Sequence, residues 1–131
     1  MYMLDTNICI YIMKRRSDAL QERLRRILPG EIRLSCVVLA ELWYGVSKST
    51  RREHNEAALS DFLSVVAVDD WPAQAAPIYG DVRAFLESEG RTIGGNDLLI
   101  ASHALVRNAI LVTSNTREFE RVPDLAIEDW A

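Results

Sequence analysis

Short apolar runs alternate with helical stretches from one end of the chain to the other, and this alternation limits the fold more than any other feature of the sequence. Met1-Tyr2-Met3-Leu4, Ile32-Arg33-Leu34-Ser35 and Ile110-Leu111-Val112-Thr113 read as short strands. Residues 65–68 continue a helix into another strand, and Leu125-Ala126-Ile127 adds an edge. Strands separated by helices pair in parallel, and a parallel sheet buries both of its faces. The expected fold is therefore α/β, with a central, mainly parallel sheet covered by helices. The first strand has almost no lead-in, which predicts a central position. No linker, repeat or low-complexity tract divides the 131 residues, so residues 1–131 are read as one domain.

Capping residues mark the helices. Residues 17–28 place Leu20, Leu24, Ile27 and Leu28 at helical spacing, opened by Ser17-Asp18 and closed by Pro29-Gly30. Residues 37–46 read as a buried helix that begins near Ser35, and a further stretch turns Leu59, Phe62, Leu63 and Val66 inward. Asp69-Asp70-Trp71-Pro72 reads as a helix start, the two acids as caps and the proline in the first turn, where its missing N–H does no harm. That helix turns Ile78, Tyr79, Val82, Phe85 and Leu86 inward and stops at Gly90, a residue suited to a left-handed helix end. Gly94-Gly95 makes a loop open to close approach by a ligand, and Asn96 or Asp97 caps the apolar helix that follows.

Four acids stand out against this pattern. Asp5, Asp97 and Glu118 lie at junctions that lead into helices, and such junctions after parallel strands open at one edge of the sheet, where open α/β folds bind ligands. Asp5 reads equally well as a cap of the helix that follows, for which Thr6 and Asn7 are also suitable types. Glu41 interrupts an apolar helix, a costly place for a carboxylate unless it is paired, hydrogen-bonded or bound to a metal. Carboxylates gathered without compensation repel and take up protons. A hard divalent cation relieves this, because Mg²⁺ and Mn²⁺ favour oxygen ligands. Such an ion activates water and offsets charge on a phosphoryl group, which makes phosphodiester hydrolysis the natural reaction.

Charge distribution agrees. The chain has 19 acids and 15 bases, a net charge of −4. Setting the four acids aside leaves acids and bases equal in number, so the excess belongs to the site. Lys14, Arg15, Arg16, Lys48, Arg51 and Arg52 are candidate contacts to a phosphate backbone, while Arg23, Arg25 and Arg26 read as a solvated helix face rather than a phosphate-contacting one. Other chemistries lack parts. The chain has no phosphate-binding glycine loop ending in Lys-Ser or Lys-Thr and no dinucleotide fingerprint. His54 and His103 have no partner at ligand spacing, and His103 is expected on the core or surface face of its helix. An aspartyl-phosphate phosphotransfer site with Asp5 as nucleophile normally needs a lysine, and none follows Lys48. Cys9 and Cys36 sit in apolar runs without metal or redox spacing and read as buried thiols. No apolar run approaches the ~20 residues that span a bilayer, and a cytoplasmic location is expected.

At these residues the chain resembles the PIN-domain family and, more narrowly, the VapC toxins of bacterial toxin–antitoxin pairs. Met3-Leu4-Asp5-Thr6-Asn7 is similar to the family's opening motif, and Ala40-Glu41-Leu42-Trp43-Tyr44-Gly45-Val46 to its second-acid helix. Ile93-Gly94-Gly95-Asn96-Asp97-Leu98-Leu99-Ile100-Ala101 is similar to the third-acid stretch, and Val112-Thr113-Ser114-Asn115-Thr116-Arg117-Glu118-Phe119 to the last. The resemblance covers essentially the whole chain. The resemblance implies a three-layer α/β/α domain and a Mg²⁺- or Mn²⁺-dependent endoribonuclease toxin that inhibits translation. It further implies a homodimer held inactive by a VapB-like antitoxin, with tRNA cut in its anticodon region as one specific form of the activity. By the same carry-over Asp5, Glu41 and Asp97 are metal ligands, Thr6 is a supporting hydroxyl, and Glu118 completes the catalytic set. The last motif departs from the commoner pattern, with Asn115 where many relatives have Asp. The rival class is a PIN-like module kept only to bind RNA or protein, for which the four acids would be superfluous.

Overall fold

At the centre of the sheet lies β1 (Tyr2–Leu4), hydrogen-bonded in parallel to β2 (Ile32–Ser35) on one side and β4 (Ile110–Val112) on the other. β3 (Ala67–Asp69) pairs with β2, and β5 (Ile127–Glu128) with β4. The order β3-β2-β1-β4-β5 is parallel throughout, in a computed structural model that describes residues 1–131. Three-residue strands suffice because both faces are covered. Met3, Leu4, Leu34, Leu111 and Val112 are each 0–1 % exposed and anchor one continuous core.

Seven α-helices connect and cover the strands: α1 (Thr6–Met13), α2 (Asp18–Arg25), α3 (Cys36–Lys48), α4 (Arg52–Leu63), α5 (Ala75–Ser88), α6 (Gly95–Val106) and α7 (Thr116–Phe119). From β1 through β2 to β3 the chain steps outward in one direction; it then crosses back to β4 and leaves on the other side. Right-handed crossovers that reverse direction place helices on both faces, which gives the three layers. The reversal falls between β1 and β4. Asp5 N–H donates to the Val112 carbonyl at 2.9 Å, so the two strands end side by side. No helix is long and apolar enough to cross a membrane.

Local punctuation works as expected in several places. Ser17 caps α2 through the Leu20 N–H, Ser35 caps α3 through the Val37 N–H, and Gly90 follows α5 with φ +65°. Elsewhere tertiary structure overrides the local reading. Asp69 and Asp70 do not cap a helix: α5 starts only at Ala75, and Asp69 ends β3, where Arg33 holds both of its carboxylate oxygens and Arg107 approaches at 3.5 Å. Arg33 on the neighbouring strand makes Asp69 an ion-pair acceptor, which no local propensity reveals. Gly94 rather than Asn96 or Asp97 occupies the cap of α6, with φ −57°, so left-handed freedom is not what it supplies. α3 is less buried than its composition predicts, with Trp43 and Tyr44 38 % and 65 % exposed. Arg23, Arg25 and Arg26 do lie on an exposed face, where Arg23 pairs with Glu128 and Arg25 and Arg26 with Glu22.

Candidate active site

Asp5 ends β1 at the point where the sheet reverses direction, 4 % exposed. Its Oδ1 accepts from the Thr6 N–H at 2.7 Å, and its Oδ2 accepts from the Thr113 hydroxyl at 2.8 Å. The first bond caps α1, so the capping role and a site role fall on the same side chain. Thr6 turns its hydroxyl to Glu41, donating to Oε1 at 2.6 Å. Asn96 reaches the other oxygen of Glu41 at 3.5 Å. On the opposite flank, fully buried Thr113 accepts from the Asn115 N–H at 2.9 Å, and the Asn115 amide donates to Glu118 Oε2 at 3.1 Å. A chain of hydrogen bonds thus runs from Glu118 through Asn115, Thr113, Asp5 and Thr6 to Glu41 and Asn96.

Asp97 faces this line from the first turn of α6. Burial pushes its carboxyl up from 3.8 to about 7, reinforced by the capacity of its protonated form to donate to Glu118 and by the charges of Asp5, Glu118 and Glu41. Burial likewise raises Asp5; the bonds from Thr113 and Thr6 oppose that rise, and Glu41 and Glu118 add to it. Each of these acids therefore senses others brought from distant parts of the chain. None of the four has a Lys or Arg partner among the ion pairs. The pocket is negative and uncompensated. Beside it lies a recess of about 400 Å³ lined by Glu41, Gly94, Gly95, Asn96 and Asp97. A larger groove of about 690 Å³ leads away from Glu41 over Ile10, Met13, Leu42 and Val46, with Lys14 and Arg51 among its lining residues.

The donor set fits a hard cation: carboxylate and hydroxyl oxygens with no thiolate or imidazole among them. No three acidic, His or Cys side chains are already gathered as a chelating cage. Mg²⁺ does not require one, since it binds through one or two carboxylates and keeps several waters. Asp5, Glu41 and Asp97 are the residues that would hold such an ion.

Sequence reasoning missed Thr113, Asn115 and Asn96 as site-building residues. Thr113 carried a signal, a hydroxyl closing an apolar strand at the edge where Asp5 sits. Asn115 does not replace a carboxylate; it orients Glu118 one helical turn on. Of the candidate backbone contacts, Lys14 and Arg51 reach the large groove, and Lys48 instead lies 4.8 Å over the Tyr44 ring. His103 is fully buried, and neither histidine lies among the four acids.

Residues 2–125 match the family described as "PIN domain". The chain is 48% identical to Ribonuclease VapC2 of Rickettsia felis, over 98% of this chain and 97% of that one. It is 45% identical to the tRNA(fMet)-specific endonuclease VapC of Shigella flexneri, over 99% and 98%. Its fold superposes with TM-score 0.93 on the crystal structure of VapBC2 from Rickettsia felis bound to a promoter DNA fragment, at 47% identity over 99% of this chain and 98% of that one.

Proposed function

The chain belongs to the PIN-domain family and to its VapC group, and from that membership and the geometry of its site we propose that it is a metal-dependent endoribonuclease toxin. The observation that carries the reading is the uncompensated cluster at the switch point, where Asp5, Glu41 and Glu118 help push Asp97 up to about 7. When bound there, Mg²⁺ or Mn²⁺ supplies a lowered water pKa and offsets charge on the scissile phosphate.

The chain's own residues prepare that chemistry. Asp5 is held on both oxygens, by Thr6 and Thr113, so its carboxylate offers fixed lone pairs. Thr6 fixes one oxygen of Glu41 and leaves the other facing Asn96. Asn115 holds Glu118 at Oε2, and Glu118 is the acid that accepts a proton from an attacking water. Single-stranded or loop RNA suits an open crevice, because its bases can be splayed out. Exposed Lys14 and Arg51 give the backbone a salt-sensitive grip. A tRNA is the substrate we infer, supported by the tRNA(fMet)-specific relative, and a cut in its anticodon region is one form of the activity that the family resemblance implies.

A VapB-like antitoxin is the partner, supported by the VapBC complexes among the structural neighbours. The groove beside Glu41, apolar along Ile10, Met13, Leu42 and Val46, gives such a partner a seat next to the acids. A homodimer completes the reading, supported by the exposed Trp43, Tyr44 and Phe85, and the cytoplasm is the location we assign to it. The test is cleavage of total RNA by purified protein, mapped at new 5′ ends with Mg²⁺ and with chelator. Wild type is expected to cut only with metal and Asp97→Asn not at all. Cutting by Asp97→Asn at near wild-type rate removes the metal-site reading.

A further inference from the structure

His103 is fully buried on α6, and its Nδ1 lies 2.8 Å from the hydroxyl of Ser35, itself 1 % exposed. Ser35 Oγ also accepts from the Val37 N–H at 3.2 Å, as the cap of α3. If the imidazole Nδ1 carried the proton, both the Ser35 proton and the Nε2 lone pair would be left unpaired. With Ser35 donating to Nδ1, only the Nε2 N–H is orphaned, and Nε2 is the one buried side-chain polar atom without a partner. Burial keeps the ring neutral by lowering its proton affinity, opposed by Asp69 of β3 and assisted by Arg107. The paired direction is therefore Ser35 O–H to Nδ1.

The bond joins the two helices that carry the recess. Ser35 stands six residues before Glu41 at the head of α3, and His103 six residues after Asp97 toward the end of α6. Ser35 meets His103 while Glu41 meets Asn96, so the two helices run antiparallel with a tie at each end. The Asn96 contact is long, at 3.5 Å, whereas the His103 bond is short and dry. We propose that His103 is a positioning residue: its bond to Ser35 sets the axial register of α6 against α3 and thereby holds Glu41 opposite Asp97. Its bearing on catalysis rests on the metal-site reading above; the register itself does not. The orphaned Nε2 N–H is a cost that an apolar side chain would avoid, and the cross-helix bond is what the imidazole provides in return.

Three variants test this, each read by crystal structure, unfolding midpoint and calorimetric titration with Mn²⁺. His103→Leu is expected to shift α6 along α3 by about the rise of one residue, ~1.5 Å, and to weaken Mn²⁺ binding about 10–100-fold. His103→Asn, whose side-chain oxygen can take the place of Nδ1, is expected to restore both the register and the affinity to within a few-fold of wild type. Ser35→Ala keeps the imidazole but removes both its partner and the cap of α3, and is expected to reproduce the His103→Leu shift with a further loss in unfolding midpoint from the cap. A stabilising role alone would lower the unfolding midpoint and leave Glu41, Asp97 and the Mn²⁺ affinity of the folded protein unchanged, and that result overturns the proposal. So does an Asn variant no better than Leu. If His103→Leu does not fold, an unmoved Glu41 in Ser35→Ala decides against it. Failure of wild type to bind Mn²⁺ sinks the metal-site reading alone, and the crystal structures then decide the register.

Discussion

At the scale of single residues, the site trades stability for charge. Asp97 sits where burial and three other acids disfavour its ionised form, and this is the arrangement a cation would relieve. Replacing it with Asn removes the crowding while keeping shape and hydrogen-bonding capacity. Asp97→Asn is therefore expected to abolish cleavage and yet to stabilise the metal-free fold above neutral pH, by on the order of 1–2 kcal/mol after allowance for solvent screening. Urea unfolding in chelator reads this directly, and a less stable Asp97→Asn would show that the carboxylate is paired rather than crowded. Thr113 acts in the opposite sense, since its hydroxyl lowers the proton affinity of Asp5 and accepts from Asn115. Thr113→Val should cost about 1–3 kcal/mol and move the acidic limb of the cleavage profile to higher pH. An unmoved limb would mean that Asp5 is set without Thr113.

At the scale of elements, Asp5, Asp97 and Glu118 are aimed by the end of a strand or the first turn of a helix and Glu41 by the middle of α3, and here the chain's local signals succeed and fail for identifiable reasons. The apolar runs at Tyr2–Leu4 and Ile110–Val112 are legible because a strand buried on both faces must be apolar. The cap at Ser35 is legible because serine satisfies a helix's first N–H groups. Asn115 pairs within its own motif, with Glu118 three residues on, whereas Asp69 misleads because the partner that claims it, Arg33, lies on another strand, and Thr113 escapes notice because its acceptor, Asp5, belongs to another motif. Such long-range pairing leaves no local mark. The double role of Asp5 makes a further prediction. Asp5→Asn retains an oxygen that can accept from the Thr6 N–H, whereas Asp5→Ala loses both the charge and the cap of α1. Both should be inactive, with the alanine variant less stable than the asparagine one by about 0.5–2 kcal/mol. Equal stability of the two would remove the cap from the account of α1.

At the scale of the whole molecule, folding brings together acids from four distant stretches, so the stability of the fold and the occupancy of the site are linked. Asp97 is raised to about 7 in the folded chain from an ordinary value of 3.8, so between these values the folded state holds a proton that the unfolded state has released. Stability rises with pH only where the unfolded state binds more protons, and here the sign is reversed. The metal-free protein should accordingly lose stability as the pH rises from about 4 to about 7 and change little from this source above that range. A bound cation competes with that proton for the same oxygens. Mg²⁺ should therefore stabilise weakly near pH 5 and fully near pH 8, by about 2.7 kcal/mol at a hundredfold excess over its Kd. Denaturant midpoints with chelator and with Mg²⁺ at those two pH values separate the contributions. If Mg²⁺ stabilises equally at both, the ion binds somewhere other than among Asp5, Glu41 and Asp97, because no binding site that includes the Asp97 carboxylate can escape competition with its proton.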